Sequence, residues 1–174
     1  MAIATVNAEM TLSVSGRFTK ANTSLNSTSV SQNFSTTSTY TTLGAGANAI
    51  NEEYIAVRTL AGGASENLDL AGSLTNFFGE TITFARIKAI SIELLTTTTS
   101  TSIEVGGAAA NQFVGPFGAA NDTVEVLNGG ALAMFSAGAT GWTVTAGTGD
   151  QLKILNNDGA NTATYRITLY GALT

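Results

Sequence analysis

The chain has 174 residues, enough for one domain with a substantial core and too few for two full ones. Only 11% of the residues are charged, against about 25% in an average soluble protein, and 28 Thr, 14 Ser and 14 Asn supply most of the polarity. The absence of Cys and His removes disulfides, thiolate nucleophiles, Cys- or His-ligated metals and the Ser-His-Asp and Cys-His triads, and a net charge of −5 with no stripe of Lys and Arg gives no electrostatic footprint for nucleic acid.

The first residues, Met1 to Glu9, have neither a basic n-region nor an apolar h-region, and no window reaches the roughly 18 to 20 apolar residues of a membrane-spanning helix. The expectation is a chain made in a cytoplasm, with no secretory signal and no membrane partner. Its Thr/Ser/Asn/Gly surface nevertheless suits proteins that face the exterior, and the Asn-x-Ser/Thr triplets at Asn22, Asn26, Asn33 and Asn121 carry no meaning for glycosylation without a secretory route. Release by lysis, inside a virus particle, reconciles the two.

From Ala4 to Phe18 the even positions are Ala4, Val6, Ala8, Met10, Leu12, Val14, Gly16 and Phe18, and the odd ones are polar. Period two marks a half-buried strand, or two in series. Fifteen extended residues reach roughly 50 Å, beyond the usual five- or six-residue strand. Such a run either bends across both sheets of its own sandwich or leaves as an arm that completes a neighbour's sheet. The arm is the preferred expectation, with Val6, Met10, Leu12 and Val14 as candidate contacts. Asn22 to Thr42 is a Ser/Thr/Asn tract punctuated by Leu25, Val30, Phe34 and Tyr40, read as an extended edge or exposed loop able to act as a tether. A turn over Leu43 to Asn48 follows, around Gly44 and Gly46.

Strands are expected over Tyr54 to Leu60 and Glu66 to Leu70, with a helical turn capped by Ser73 running to Phe78. Between Thr81 and Leu95 the apolar phase slips: Ile82 and Phe84 share parity with Ile90, Ile92 and Leu94, while Ile87 does not. A β-bulge near Arg86 would produce that break. Short strands then recur every eight to twelve residues, at Ser102 to Val105, Thr123 to Leu127, Ala131 to Phe135, Trp142 to Ala146, Leu152 to Leu155 and Ala163 to Tyr170. Asp158-Gly159 is the strongest hairpin signal among their turns. The expected fold is all-β, an antiparallel β-sandwich of jelly-roll-like form with an extended N-terminal strand or arm. Residues 1–60 would form the arm and Ser/Thr-rich segment and 61–174 the sandwich core, with a seam at Ala61 to Ala64 inside one structural domain overall.

Three clusters could carry chemistry, each with a plainer reading beside it. Glu93 and Glu104 flank the Thr96 to Thr99 run and would approach one another across a hairpin as glycosidase carboxylates do; as outward positions on half-buried strands they are ordinary. Asp150 and Asp158, with Asn156 and Asn157, offer oxygen ligands for calcium, and turn formation explains the same residues without a metal. Trp142, Tyr165 and Tyr170 could stack on a sugar, although alternating runs normally bury such rings. The apolar stretch Phe113-Val114-Gly115-Pro116-Phe117 does not alternate, so Phe113 and Phe117 either plug an end of the sandwich or wait for a subunit to cover them. No catalytic residue and no cofactor is expected.

The order Leu68-Asp69-Leu70-Ala71-Gly72-Ser73-Leu74, Phe78-Gly79, Ile82 to Ile90, Gly141-Trp142-Thr143-Val144-Thr145-Ala146-Gly147, Asp150 to Ile154 and Thr164-Tyr165-Arg166-Ile167 resembles small β-sandwich virion proteins of tailed bacteriophages. The resemblance covers roughly residues 60–172 and lies in motif order; it assigns no contact residues. It implies a non-enzymatic structural role in the virion, as a capsid decoration (cement) or minor head protein bound to the major capsid protein or another virion protein, and itself a homo-oligomer, in all expectation a trimer. A tail, fibre or baseplate β-module, or a carbohydrate-binding module, is the alternative.

Overall fold

A computed structural model describes residues 6–20 and 28–173. Its strands are β1 (Ala8–Lys20), β2 (Thr28–Tyr40), β3 (Thr42–Leu43), β4 (Ala49–Ile50), β5 (Glu52–Leu60), β6 (Ser65–Asp69), β7 (Arg86–Leu94), β8 (Ser102–Gly106), β9 (Thr123–Leu127), β10 (Ala131–Phe135), β11 (Trp142–Thr143), β12 (Gln151–Asn156) and β13 (Ala163–Ala172). No helix occurs among the described residues. The Ser73 to Phe78 stretch, expected as a helical turn, is a pair of tight turns. Ser73 Oγ donates back to the Asp69 carbonyl instead of capping a helix.

Two antiparallel sheets enclose the core. One has the order β10-β7-β13-β5, with β11 continuing the β10 side of β7, and the other has the order β6-β12-β8-β9. Alternation decides which residues meet between them. Ile90, Ile92 and Leu94 of β7 and Tyr165, Ile167 and Leu169 of β13 face Leu152 and Ile154 of β12 and Ile103 and Val105 of β8, all buried. Each side chain of this size stabilises the fold by about 1.5–3 kcal/mol on burial. The opposite parity faces out, where Arg166 and Glu93 sit side by side in register and pair at 3.0 Å. Being half exposed, that pair contributes about 0–1 kcal/mol.

β5 pairs with β13 along its whole length, from Glu52 against Gly171 to Leu60 against Ala163. The sandwich therefore begins ahead of the seam expected at residues 61–64. At that edge Arg58 of β5 binds the Glu66 carboxylate of β6, which also accepts the Tyr165 hydroxyl at 2.7 Å. The bond reaches across the core and satisfies the polar end of a fully buried ring.

The expected bulge is present, two residues beyond Arg86. Tyr170 lies opposite Ala89 and Gly171 opposite Ile87, so Lys88 is the unpaired extra residue. The phase change follows directly: Ile87 points into the main core before the bulge, and Ile90, Ile92 and Leu94 after it. Gly171 tolerates the crowding here because a Cβ would collide with the Arg86 carbonyl and the Phe84 ring.

Asp158-Gly159 is not a hairpin turn. β12 and β13 belong to different sheets, so the chain crosses the end of the sandwich there. Asp158 organises the crossing, accepting from the Ala160 and Asn161 amides, the Asn161 side chain, and the hydroxyls of Ser100 and Thr101. The Ala160 amide, the Asn161 side chain and the Ser100 hydroxyl hold its carboxyl well below the usual carboxylate range. A depressed carboxyl contributes stability above its unfolded value, near pH 4, and loses it as the pH falls towards the folded value. Asp158→Asn should therefore unfold at lower urea than the parent at pH 7, and the gap should begin to narrow below about pH 4. Urea midpoints from pH 7 to 2 check this; a gap as wide at pH 2 as at pH 7 would refute it.

Candidate interaction surface

β1 and β2 form a two-stranded antiparallel ribbon, paired from Ala8 against Tyr40 to Lys20 against Thr28. Thirteen residues a side make it about 40 Å long. Residues directly opposite share a face, so Ala8, Met10, Leu12 and Val14 lie with Tyr40, Ser38, Thr36 and Phe34. The other face carries Ser and Thr, where the Thr11 and Thr37 hydroxyls meet at 2.8 Å. The alternation of the first strand has thus built a ribbon that is apolar on one side only.

The Ser/Thr tract is extended over residues 28–40, as the edge reading expected, but it is a paired strand there and no free tether. From Thr28 to Tyr40 it pairs residue by residue with β1, and so it uses one edge of the strand expected to complete a neighbour's sheet. Thr and Ser at every second position suit an exposed strand, since Thr is β-branched and its hydroxyl bonds across the pair. The stretch 22–27 lies outside the described residues, and with it Asn22 and Asn26.

The ribbon is anchored at its root and free beyond it. Tyr40 is completely buried with Ile50 and Ala89 on the outer face of the five-stranded sheet, and Val6, Ala8, Met10, Phe135 and Tyr170 pack around them. The Tyr40 hydroxyl donates to the Lys88 carbonyl at 3.1 Å, and its ring meets Tyr170 edge-on at 6.3 Å. Burial pushes the Tyr40 hydroxyl up, opposed by its bond with Ser38, and burial together with Glu53 raises Tyr170. Lys88 is itself fully buried, and its Nζ donates to the carbonyls of Gly46, Gly138 and Ala139. Desolvation, with Arg86 nearby, lowers its pKa. Past Met10, through Arg17 and opposite it from Ser31 to Thr37, both faces stand in solvent, with Val14 59% and Phe34 60% exposed.

A second uncovered apolar surface lies on the sheet that holds the root. Ile55 and Val57 of β5 point outward beside Thr168 and Arg166 of β13 and are 56% and 60% exposed. Next to them Phe77, 91% exposed, and Phe78 contact each other edge-on at the tip of a turn. Asn76 makes this turn rigid. Its buried Oδ1 accepts from the Phe78 and Glu80 amides at 3.0 and 2.9 Å, and its Nδ2 donates to the Glu52 carboxylate at 3.2 Å. A cleft of about 240 Å³ joins Val6, Ala8 and Ile50 to Phe78, and another of about 320 Å³ joins Phe77 to Ile55 and Ala56. Apolar side chains, interleaved with Glu52 and Glu53, thus run from the ribbon root past the two rings to β5.

Of the residues expected to bind a partner, Val6 and Met10 are half-buried at the root, and Leu12 and Val14 are exposed on the ribbon. Phe113 is buried in the main core, as a plug would be, and Phe117 packs against that core while remaining partly exposed. Glu93 lies in the five-stranded sheet and Glu104 in the other, opposite Glu125, because the chain between them crosses over and makes no hairpin. Asp150 and Asp158 sit at opposite ends of β12, each bonded within its own loop. Trp142 and Tyr165 serve the main core and Tyr170 the root, so no aromatic platform forms.

Sequence reasoning passed over Ile55, Val57, Phe77, Phe78 and the root residues Tyr40 and Lys88. In Tyr54 to Val57 both parities are apolar, which hides the outward one, but two adjacent aromatics before Gly79 were a legible sign of a presented turn.

Lys88→Met should cost about 2–4 kcal/mol, because three carbonyls lose a charged donor at a buried site, and Tyr40→Phe about 1 kcal/mol. Chemical denaturation measures both. Hydrogen exchange should accelerate along β1 and β2 near the root in the Lys88 variant; unchanged protection there would show that the ribbon does not depend on this anchor. Comparison of the chain with protein families and with curated proteins finds no match.

Proposed function

We propose that this chain is a non-enzymatic structural protein of a virus particle, a capsid decoration or minor head protein that binds and stabilises an assembled shell. The observation that carries the reading is the ribbon: a rigidly rooted, lightly charged strand pair with one apolar face left uncovered. Such a surface is suited to joining copies of proteins to one another.

Strand order gives further support. Taken in sequence, β5, β6, β7, β8, β9, β10, β12 and β13 switch sheet at every step except from β8 to β9, and fall into two four-strand orders, β10-β7-β13-β5 and β6-β12-β8-β9. Such an order is consistent with a jelly-roll-like sandwich, an architecture shared by viral capsid and lectin domains. On a repeating lattice, several weak apolar contacts combine into firm attachment while free subunits bind poorly. The exposed Phe77–Phe78 pair favours a second reading, a tail or fibre module or a carbohydrate-binding module, since exposed rings stack on sugar faces.

Quantitative mass spectrometry of particles purified from lysed cells that make the protein should find it in fixed ratio to the major capsid protein. A ratio tied to tail proteins, or binding on a glycan array lost in Phe77→Ala, would favour the second reading. Absence from every particle fraction would overturn the first.

A further inference from the structure

We propose that the ribbon of one copy docks its apolar face on the outer face of the five-stranded sheet of a second copy, over Ile55 and Val57, so that copies join head to tail.

The intramolecular contact at the root already shows the match. There the same ribbon face, at Ala8 and Met10, lies against the same sheet face, at Ala89 and Tyr170. Both surfaces continue beyond that contact and separate. The ribbon goes on through Leu12, Val14 and Phe34 into solvent, and the sheet goes on through Ile55 and Val57, equally uncovered. A chain cannot close this gap on itself while its ribbon projects, but a neighbour's ribbon fits the vacant rows.

Charge selects this arrangement over its rivals. Residues 1–40 contain two basic side chains and one acidic, and residues 41–174 contain five basic and eleven acidic. Ribbons therefore repel ribbons and bodies repel bodies, while a ribbon and a foreign body attract. Screening over about 8 Å at physiological salt keeps the effect modest, yet its sign favours only one of the three pairings.

Area sets the stoichiometry. The free ribbon from Leu12 to Arg17 spans about 20 Å and two strands, covering roughly 200 Å² on each side. One such contact is small beside the ~1,200–2,000 Å² of a stable interface. If every copy gives one ribbon and receives another, the buried area per copy doubles, and a heterologous contact of this kind closes into a ring when its rotation allows. Such a contact is open to this chain whether or not it rides on a virus particle.

The test uses two variants of the full chain with substitutions of one sign, so that no artificial ion pair joins them: Val14→Lys with Phe34→Lys on the ribbon, and Ile55→Lys with Val57→Lys on the sheet. All four side chains are exposed, and circular dichroism verifies the fold; if either variant loses its strand signal, the corresponding Ser substitutions replace the Lys ones. By sedimentation and light scattering at about 100 μM, the parent should be a closed oligomer and each variant alone a monomer. An equimolar mixture should give a species of twice the chain mass and no larger, because the intact ribbon of the sheet variant meets the intact sheet of the ribbon variant. A monomeric parent, a variant that keeps the parental size, or a mixture that stays monomeric would each overturn the proposal, the second by pointing to ribbon-on-ribbon contact if the sheet variant keeps its size and to sheet-on-sheet contact if the ribbon variant does.

Discussion

A buried ammonium group joins the two parts of this molecule. Lys88 is the extra residue of a β-bulge, and the bulge turns its side chain into a place with no water and three carbonyl oxygens. A fully buried lysine is expensive unless its donors are matched, and here they are, by the loop before β4 and the loop before β11. The same residue offers its carbonyl to Tyr40 and to the Ser136 amide. The ribbon, two loops and the central strand of the sandwich are thereby fastened at one point.

The bulge also creates a second, smaller core. By shifting the phase of β7 it turns Ala89 outward, where its small side chain is buried together with Tyr40. Without it the outer face of the sandwich would be an ordinary solvated surface with nothing to seat a ribbon. The main core owes nothing to this arrangement; it follows from alternation in eight strands and from the polar clasp of Arg58, Glu66 and Tyr165 at the β5 edge.

A surface rich in Thr, Ser and Asn suits a molecule built to be covered. Hydroxyls and amides bond to neighbours or to water without the desolvation cost that carboxylates and ammonium groups impose on an interface. Against that background the apolar ribbon face, β5 and the Phe77–Phe78 turn stand out as places where burial would be favourable. They lie on one side of the molecule because the ribbon root and β5 share a sheet face.

The all-β class, most strand positions and the existence of a bulge were legible in the chain because period-two alternation and turn residues are local properties: β9 and β10 fall at the expected residues, and the slip at Ile87 announced the bulge within two positions. The first long strand was legible too. Which strand pairs with which was not, since pairing depends on contacts far apart in sequence. So Asp158-Gly159 read as a hairpin although its strands enter different sheets, a hairpin joining Glu93 to Glu104 stood beside their ordinary outward reading although a crossover parts them, and the Ser/Thr tract read as an extended edge or loop with no sign that it is the partner of β1. Only tertiary structure could decide that Phe113 lies inside and Ile55 and Val57 outside. A run of apolar residues states that burial is favourable, and topology alone determines which of them finds something to be buried against.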